Sequence, residues 1–332
     1  METVQRVATG RSVTTLRWDG DDLVDFADGP DRWRLDGTVD IPSIRRSFGL
    51  PFDRGLVSPS GRFQAVYAER GTKALLLQGG EIVRELTRDP YPCAADTIDY
   101  PIALGALSDG REVVVHCPDH PYVLQIDDAQ TGQRLTDGPR DQPDVYQSRL
   151  SISPDGRRLM TAGERYGNDE VMIFDLDLAV RDASALDGDG IMPLDAYCTD
   201  VAAACWLDSD RVVIATTDHE PLFDDADALG PRQLGVWSVS QSRWLHRATV
   251  GYPMGTLIAC GSRVITLYGH PQLLDPITGD VIAEWPDVPI GTTQGSYEDT
   301  NFPTPIAALH PDRTRLAIAE PDAITILTLP SP

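Results

Sequence analysis

A short polar turn flanked by two hydrophobic runs recurs seven times along the 332 residues, and its spacing constrains the fold more than any other feature. The clearest copies are Ser58-Pro59-Ser60-Gly61-Arg62 and Ser153-Pro154-Asp155-Gly156-Arg157. Degraded copies stand at Trp18-Asp19-Gly20-Asp21, Ser108-Asp109-Gly110-Arg111, Asp208-Ser209-Asp210-Arg211, Cys260-Gly261-Ser262-Arg263 and His310-Pro311-Asp312-Arg313. With turn centres at 20, 61, 110, 156, 210, 261 and 313, the steps are 41, 49, 46, 54, 51 and 52 residues. That is the period of a β-propeller blade, a supersecondary unit that buries its hydrophobic faces only against neighbouring copies.

The fourth repeat shows the blade grammar. Leu150-Ser151-Ile152 reads as a short inner strand, the Ser-Pro-Asp-Gly-Arg segment as its turn, and Arg158 to Gly163 as the second strand. A loop from Glu164 to Asp169 precedes a third strand, Val171-Met172-Ile173-Phe174-Asp175. Third strands of other repeats end in Leu124-Gln125-Ile126-Asp127, Gly235-Val236-Trp237-Ser238 and Leu273-Leu274-Asp275-Pro276. Thr131-Gly132-Gln133 and Thr278-Gly279-Asp280 then turn into an outer, fourth strand. The run from Ser153 to Leu176 resembles the WD-repeat family, in which Trp-Asp closes the third strand; Phe174-Asp175 takes that place here. The resemblance covers nearly the whole chain and implies a divergent bacterial WD-like propeller used for recognition, although the Gly-His dipeptide that often opens such repeats is not evident.

The expected fold is therefore all-β: one closed domain over 1–332, a seven-bladed propeller of four-stranded antiparallel blades. The blades span approximately 13–47, 55–92, 102–140, 148–190, 200–248, 254–290 and 304–330 with 2–8. The last blade is one strand short, and Glu2 to Ala8 can supply that strand, which removes two exposed sheet edges.

Composition narrows the function classes. Net charge is 28 minus 51, or −23, a field that repels phosphate backbones and attracts basic partners. Nucleic acid is not an expected ligand. No stretch approaches the roughly 20 apolar residues that span a bilayer, and the first thirty lack the apolar core of a signal peptide. Cys93, Cys117, Cys198, Cys205 and Cys260 are scattered and odd in number, as reduced thiols are. The chain is expected to be cytoplasmic, monomeric and not membrane-bound. A single lysine, Lys73, stands against 27 arginines; GC-rich codon bias or selection for bidentate arginine contacts can produce this, and the scatter of most arginines over turn positions favours the first. There is no Gly-rich phosphate loop and no Gly-x-Ser-x-Gly elbow.

The turns also sort residues by face. In a four-stranded blade the defining hairpins lie at the bottom, while loops between strands two and three share the top with the connections between blades. His310 then goes to the bottom and His246 to an outer strand. His116, His120, His219 and His270 go to the top, where Glu69, Glu164, Asp218 and Arg165 occupy equivalent loops. Imidazoles and carboxylates around one mouth suit acid–base chemistry or a divalent cation. On that reading His116, His120, His219, His270 and Glu164 are the catalytic candidates, with His219, Glu220 and His270 as metal candidates, although no zinc-type spacing is present. No cofactor is expected, a divalent metal being the one open possibility.

Aromatics are the second signal. Tyr91, Tyr100, Tyr146, Tyr197, Tyr252, Tyr297 and Phe302 lie in connections between blades, and Arg165 and Tyr166 in a top loop. These are the ligand-binding candidates, since a flat apolar body with a polar tip gives contact area at low entropic cost; the alternative is that they plug grooves between blades. Two functions follow, beside a third reading that rests on charge alone, an acidic decoy or inhibitor of a basic protein. The leading one is a binding module for a protein, peptide or small ligand on its top face. The other is an enzyme of a specialised bacterial pathway, a lyase, cyclase or hydrolase working through the top-face His and Asp/Glu residues.

Overall fold

The structure is a computed structural model that describes residues 4–27, 31–41, 48–141, 143–194, 199–220, 227–292, 294 and 304–331. Seven antiparallel sheets follow one another around a ring. Blade 1 holds β2 (Arg17–Asp19), β3 (Asp22–Asp25), β4 (Asp31–Trp33) and β5 (Val39–Asp40). Blade 2 holds β6 (Arg54–Val57), β7 (Phe63–Tyr67), β8 (Lys73–Gln78) and β9 (Glu81–Thr87). A short helix, α1 (Pro92–Thr97), leads to blade 3 with β10 (Ile102–Ala106), β11 (Glu112–His116) and β12 (Gln125–Asp128). Blade 4 holds β13 (Ser151–Ile152), β14 (Arg158–Arg165), β15 (Asn168–Asp175) and β16 (Ile191–Leu194). Blade 5 is β17 (Val201–Trp206), β18 (Arg211–Thr216), β19 (Gln233–Ser238) and β20 (Arg243–Thr249). Blade 6 is β21 (Thr256–Cys260), β22 (Arg263–Tyr268), β23 (His270–Leu274) and β24 (Val281–Glu284). Blade 7 takes β25 (Ala307–Leu309), β26 (Arg315–Ala319), β27 (Ala323–Thr328) and, from the other end of the chain, β1 (Val4–Ala8).

The expected closure is present as a five-residue ladder from Val4↔Leu327 to Ala8↔Ala323. The segment after it is tied down by a buried polar knot. Arg11 donates to Asp31 at 2.7 Å and to Asp25 at 2.9 Å, and Asp25 also accepts from the Thr15 hydroxyl at 2.7 Å. Blade 3 forms its fourth-strand contact differently from the rest. Arg134 bridges Asp127, Leu135 donates to the Ile126 carbonyl, and the Thr136 hydroxyl accepts from the Ile126 amide where a carbonyl would.

All seven repeated turns join the first and second strands of a blade. In both clear copies the leading serine does the same work: the Ser58 and Ser153 amides donate to the Phe63 and Arg158 carbonyls, while their hydroxyls accept from the Phe63 and Arg158 amides. The turn then reverses at Gly61 (φ 76°) and Gly156 (φ 72°), a left-handed backbone that costs a side chain. Arg313 takes that conformation (φ 62°) in the degraded seventh copy.

Two elements differ from the sequence expectation. Glu164 to Asp169 is no loop, because the strands run on through the register Glu164↔Asp169 to a two-residue turn at Tyr166 (φ 54°) and Gly167 (φ 90°). Both central residues at positive φ is the turn whose twist matches a hairpin. Asp175 closes its strand as expected, but its carboxylate then accepts from the Leu178 amide and caps a helix, α2 (Leu176–Arg181). With a 3-10 turn at Ala183–Leu186, this helix explains the long step between the fourth and fifth repeats.

The core is divided among the seven junctions between blades. In β11, Val113 and Val115 pack with Leu159 and Phe174 of blade 4, while Val114 faces Leu76 and Phe63 of blade 2. In β18, Val212 and Ile214 join Met160 and Ile173 of blade 4, while Val213 and Ala215 join Met254 and Val264 of blade 6. Ile324 and Ile326 meet Trp18 and Leu23 across the closing junction.

The two clear turns separate in mutation. A Cβ at Gly61 meets open space, whereas one at Gly156 falls on the Ala106 carbonyl of blade 3. Gly61→Ala is expected to cost about 1 kcal/mol from its backbone conformation alone, and Gly156→Ala about 3 kcal/mol or more. Urea unfolding of the two variants checks the order. In the same assay Asp25→Ala is expected to cost about 2 to 3 kcal/mol, because it removes one of the two carboxylates that hold Arg11 and leaves the buried Thr15 hydroxyl without its acceptor.

Candidate functional site

With the seven hairpins at one end of the disc, the first strands of all blades start at the other. A cavity of about 430 Å³ opens there, at the top of the central channel. Its apolar wall comes from inner strands: Leu56, Ile102, Leu150, Ala202, Ala203 and Leu257. Its polar rim comes from residues that enter those strands or leave the second ones, with Arg54, Glu69, Asp99 and Arg149 as the charged members beside Tyr67 and Tyr100.

The rim is held by ion pairs within and between blades. Arg54 pairs with Glu69 at 2.6 Å and reaches the Thr304 carbonyl of the last connection at 2.9 Å. Arg70 lies 3.0 Å from Asp99, and Arg149 lies 3.0 Å from Asp169. Asp200 accepts from the Asp169 amide at 2.7 Å and carries the chain of contacts into blade 5. Burial pushes the Asp99 carboxyl up to about 7, against the pull of Arg70 and with the repulsion of Glu69. Burial likewise raises Asp200, and it pushes the Tyr67 and Tyr100 hydroxyls far up.

Beside the cavity, the top of blades 3 and 4 gathers five of the residues singled out from the sequence: His120, Tyr146, Glu164, Arg165 and Tyr166. His120 packs edge-on to Tyr122 at 4.7 Å between ring centroids, and Tyr122 packs edge-on to Tyr146 at 4.7 Å. Tyr146 and Glu164 exchange backbone hydrogen bonds, so the ring row is fixed to blade 4. Tyr166, 67% exposed at the tip of its turn, donates its hydroxyl to Asp144 at 2.6 Å. Arg165 lies 3.0 Å from Glu170 and 2.6 Å from Asp189. Glu164 accepts from the Gly167 amide, and burial raises its carboxyl. Exposed carboxylates, Asp119, Asp144 and Asp189, rim the patch.

The remaining candidates stand apart. His116 ends β11 with a ring only 4% exposed, its Nε2 at 3.1 Å from Asp127, which also accepts from Gln125 and Arg84. Although burial works against ionisation of Asp127, the His116 and Gln125 contacts hold its carboxyl below the usual range. His219 is exposed with Nδ1 at 3.5 Å from Asp200, while His270 in blade 6 has Nε2 at 3.3 Å from Glu284. Glu220 is exposed beside His219. Among the described residues no three His, Cys, Asp or Glu side chains come together as a metal cluster. Tyr91 is half exposed at the start of α1, whereas Tyr100 is buried under the Arg88 guanidinium, 5.3 Å from its ring. Tyr252 packs into the groove between blades 5 and 6 and donates to the Gly279 carbonyl at 2.9 Å. Tyr197, Tyr297 and Phe302 lie outside the described residues.

Asp99 and Tyr122 escaped the sequence reading. Asp99 precedes an inner strand by three residues, as Arg149 precedes another by two, and that offset is the signal that marks the cavity rim.

No protein-family model matches the sequence, and no curated protein matches it. The fold is similar to that of a chain in the crystal structure of the mitotic checkpoint complex. The TM-score is 0.62 at 13% identity, covering 99% of this chain and 91% of that one. Among the described residues no helix is long and apolar enough to cross a membrane.

Asp99 gives the rim a pH signature. A carboxyl raised by folding binds its proton more tightly in the native state, so stability is lost as pH rises from its unfolded value of 3.8 through about 7 and is level above. Asp99→Asn is expected to flatten that slope and to gain on the order of a few kcal/mol relative to wild type at pH 8 but not at pH 4. Urea unfolding across that range reads the difference.

Proposed function

We propose that this protein is a WD-like recognition module that binds a partner protein or peptide on the face carrying the cavity and the aromatic row. The observation that carries this reading is the His120–Tyr122–Tyr146 row with exposed Tyr166 beside it, on the face opposite the seven hairpins. Rings held by packing present large contact area with little entropy left to lose, the property of interface anchors. Asp119, Asp144 and Asp189 at the rim, together with the net charge of −23, favour a basic partner. The structural relative was itself solved in a complex, which fits a propeller used for assembly. A cytosolic, monomeric module of bacterial origin accords with the composition. The enzymatic alternative has less support, since His116, His120, His219 and His270 each hold a separate partner and share no cleft.

The test starts from proteins captured by the wild-type chain and measures each purified candidate by calorimetry against Tyr122→Ala and Tyr166→Ala. A true partner is expected to lose at least about tenfold in affinity with each variant, about 1.4 kcal/mol, with Tm unchanged for the exposed Tyr166. Captured partners that bind both variants as tightly as wild type, or that bind through the hairpin face, overturn the proposal.

A further inference from the structure

The charged groups around the central cavity are not equally compensated, and the difference points to the ligand. Arg54 donates to the Asp53 carbonyl at 2.7 Å, to Glu69 at 2.6 Å and to the Thr304 carbonyl at 2.9 Å. Arg149 donates to the Ala162 and Ala202 carbonyls, both at 3.2 Å, and lies against Asp169. Glu69 accepts from Arg54 and from the Thr304 amide. Both guanidinium groups that line the cavity thus hold carboxylate or backbone acceptors, although Arg54 Nε and Arg149 Nη2 are left without a hydrogen-bond partner of their own.

Asp99 differs from these three in degree, because its side chain makes no hydrogen bond to any described residue. Its Oδ1 lies 3.0 Å from Arg70 Nη2, but the pair is misaligned, and that buried oxygen has no hydrogen-bond partner. The other charged groups around it are Glu69 and Asp169, which repel its ionised form, and Arg149, which already serves Asp169. The side chain is only 13% exposed, so water does not make up the deficit. Beside it stand Tyr67 and Tyr100, rings 5.7 Å apart and tilted by 41°, with the aliphatic wall below. A negative group short of a partner, aromatic faces and an apolar sleeve are what an alkyl cation needs. A cavity of about 430 Å³ has room for one chain of that kind.

We infer that the cavity takes an organic cation, an alkylammonium or guanidinium group, whose charge is met by Asp99 and whose chain lies between Tyr67, Tyr100 and the inner-strand wall. This names the chemistry of the same face and rests on the recognition reading. The cation enters as a side chain of the bound partner or as a free amine. A cation beside Asp99 favours the ionised carboxylate, so binding near neutral pH releases a proton and tightens as pH rises.

Calorimetry with n-butylammonium, and with butyrate as the anionic counterpart, tests the cavity without involving the aromatic row. The expected result is binding of n-butylammonium and not of butyrate, an affinity rising about tenfold from pH 6 to pH 8, and loss of that binding in Asp99→Asn. Proton release by the wild-type protein, read from titrations in buffers of different ionisation enthalpy at pH 7, gives the same answer without a variant. A blocked Gly-Lys-Gly peptide separates the sources: tighter binding than n-butylammonium assigns the cation to a partner chain, and weaker binding assigns it to a free amine. Preference for butyrate, or n-butylammonium binding that ignores both pH and Asp99→Asn, overturns the inference. So does absence of binding by any of the three probes. Because these probes bypass Tyr122 and Tyr166, such a result leaves the recognition of a partner by the aromatic row standing, and loss of the latter leaves the cavity result standing.

Discussion

Burial of the middle strands on both faces is the constraint on which the rest of this molecule depends. Side chains alternate along a strand, so β11 gives Val113 and Val115 to one neighbour and Val114 to the other. The same division recurs in β18 and in β8, where Leu76 packs toward blade 3 and Leu75 and Leu77 toward blade 1. No blade owns a core. Each apolar cluster is half supplied by the blade next door, and only a closed ring leaves no half without its complement.

This arrangement explains why the hairpins tolerate decay. His310-Pro311-Asp312-Arg313 and Asp208-Ser209-Asp210-Arg211 keep little of the Ser-Pro-Asp-Gly pattern, yet the first makes the same closure as the intact copies, His310 amide to Arg315 carbonyl, and the second closes one residue shorter, Leu207 amide to Arg211 carbonyl. The junctions hold the strands in place, and the turn has only to reverse the chain. Where a turn itself packs against a neighbour, as Gly156 does on Ala106, its residue is no longer open to change.

The fold was legible because the turn spacing and the uninterrupted apolar runs both follow from this geometry, and the missing strand of the last blade could be matched to the first residues by counting. The site was less legible. Tyr146 was visible as an aromatic between blades, and Arg165 and Tyr166 as residues of a top loop, but Tyr122 sits in a short stretch after β11 that has no periodic partner elsewhere. His116 and His120 are four residues apart in sequence, yet one turns into the junction with blade 2 and the other lies on the surface row. The end of β11 at His116 decides between them, since the chain leaves the strand there and carries His120 into the connection that follows. Asp99 is an ordinary acidic residue in sequence, and only the close packing of Glu69, Arg70 and Arg149 around it makes it unusual.

The ladder that pairs Val4 with Leu327 has a consequence for how the molecule comes into being. β1 is synthesised well before β27, so it waits for all the blades between them before it has an edge to join. Pairing at such sequence separation carries a large loop-closure cost and forms late. Until then the growing polypeptide carries two open strand edges and one half-built apolar junction between blades 7 and 1, which is the state most exposed to association with other nascent chains. Arg11, three residues past the end of that strand, ties it to Asp25 and Asp31 of blade 1 once the pairing is made.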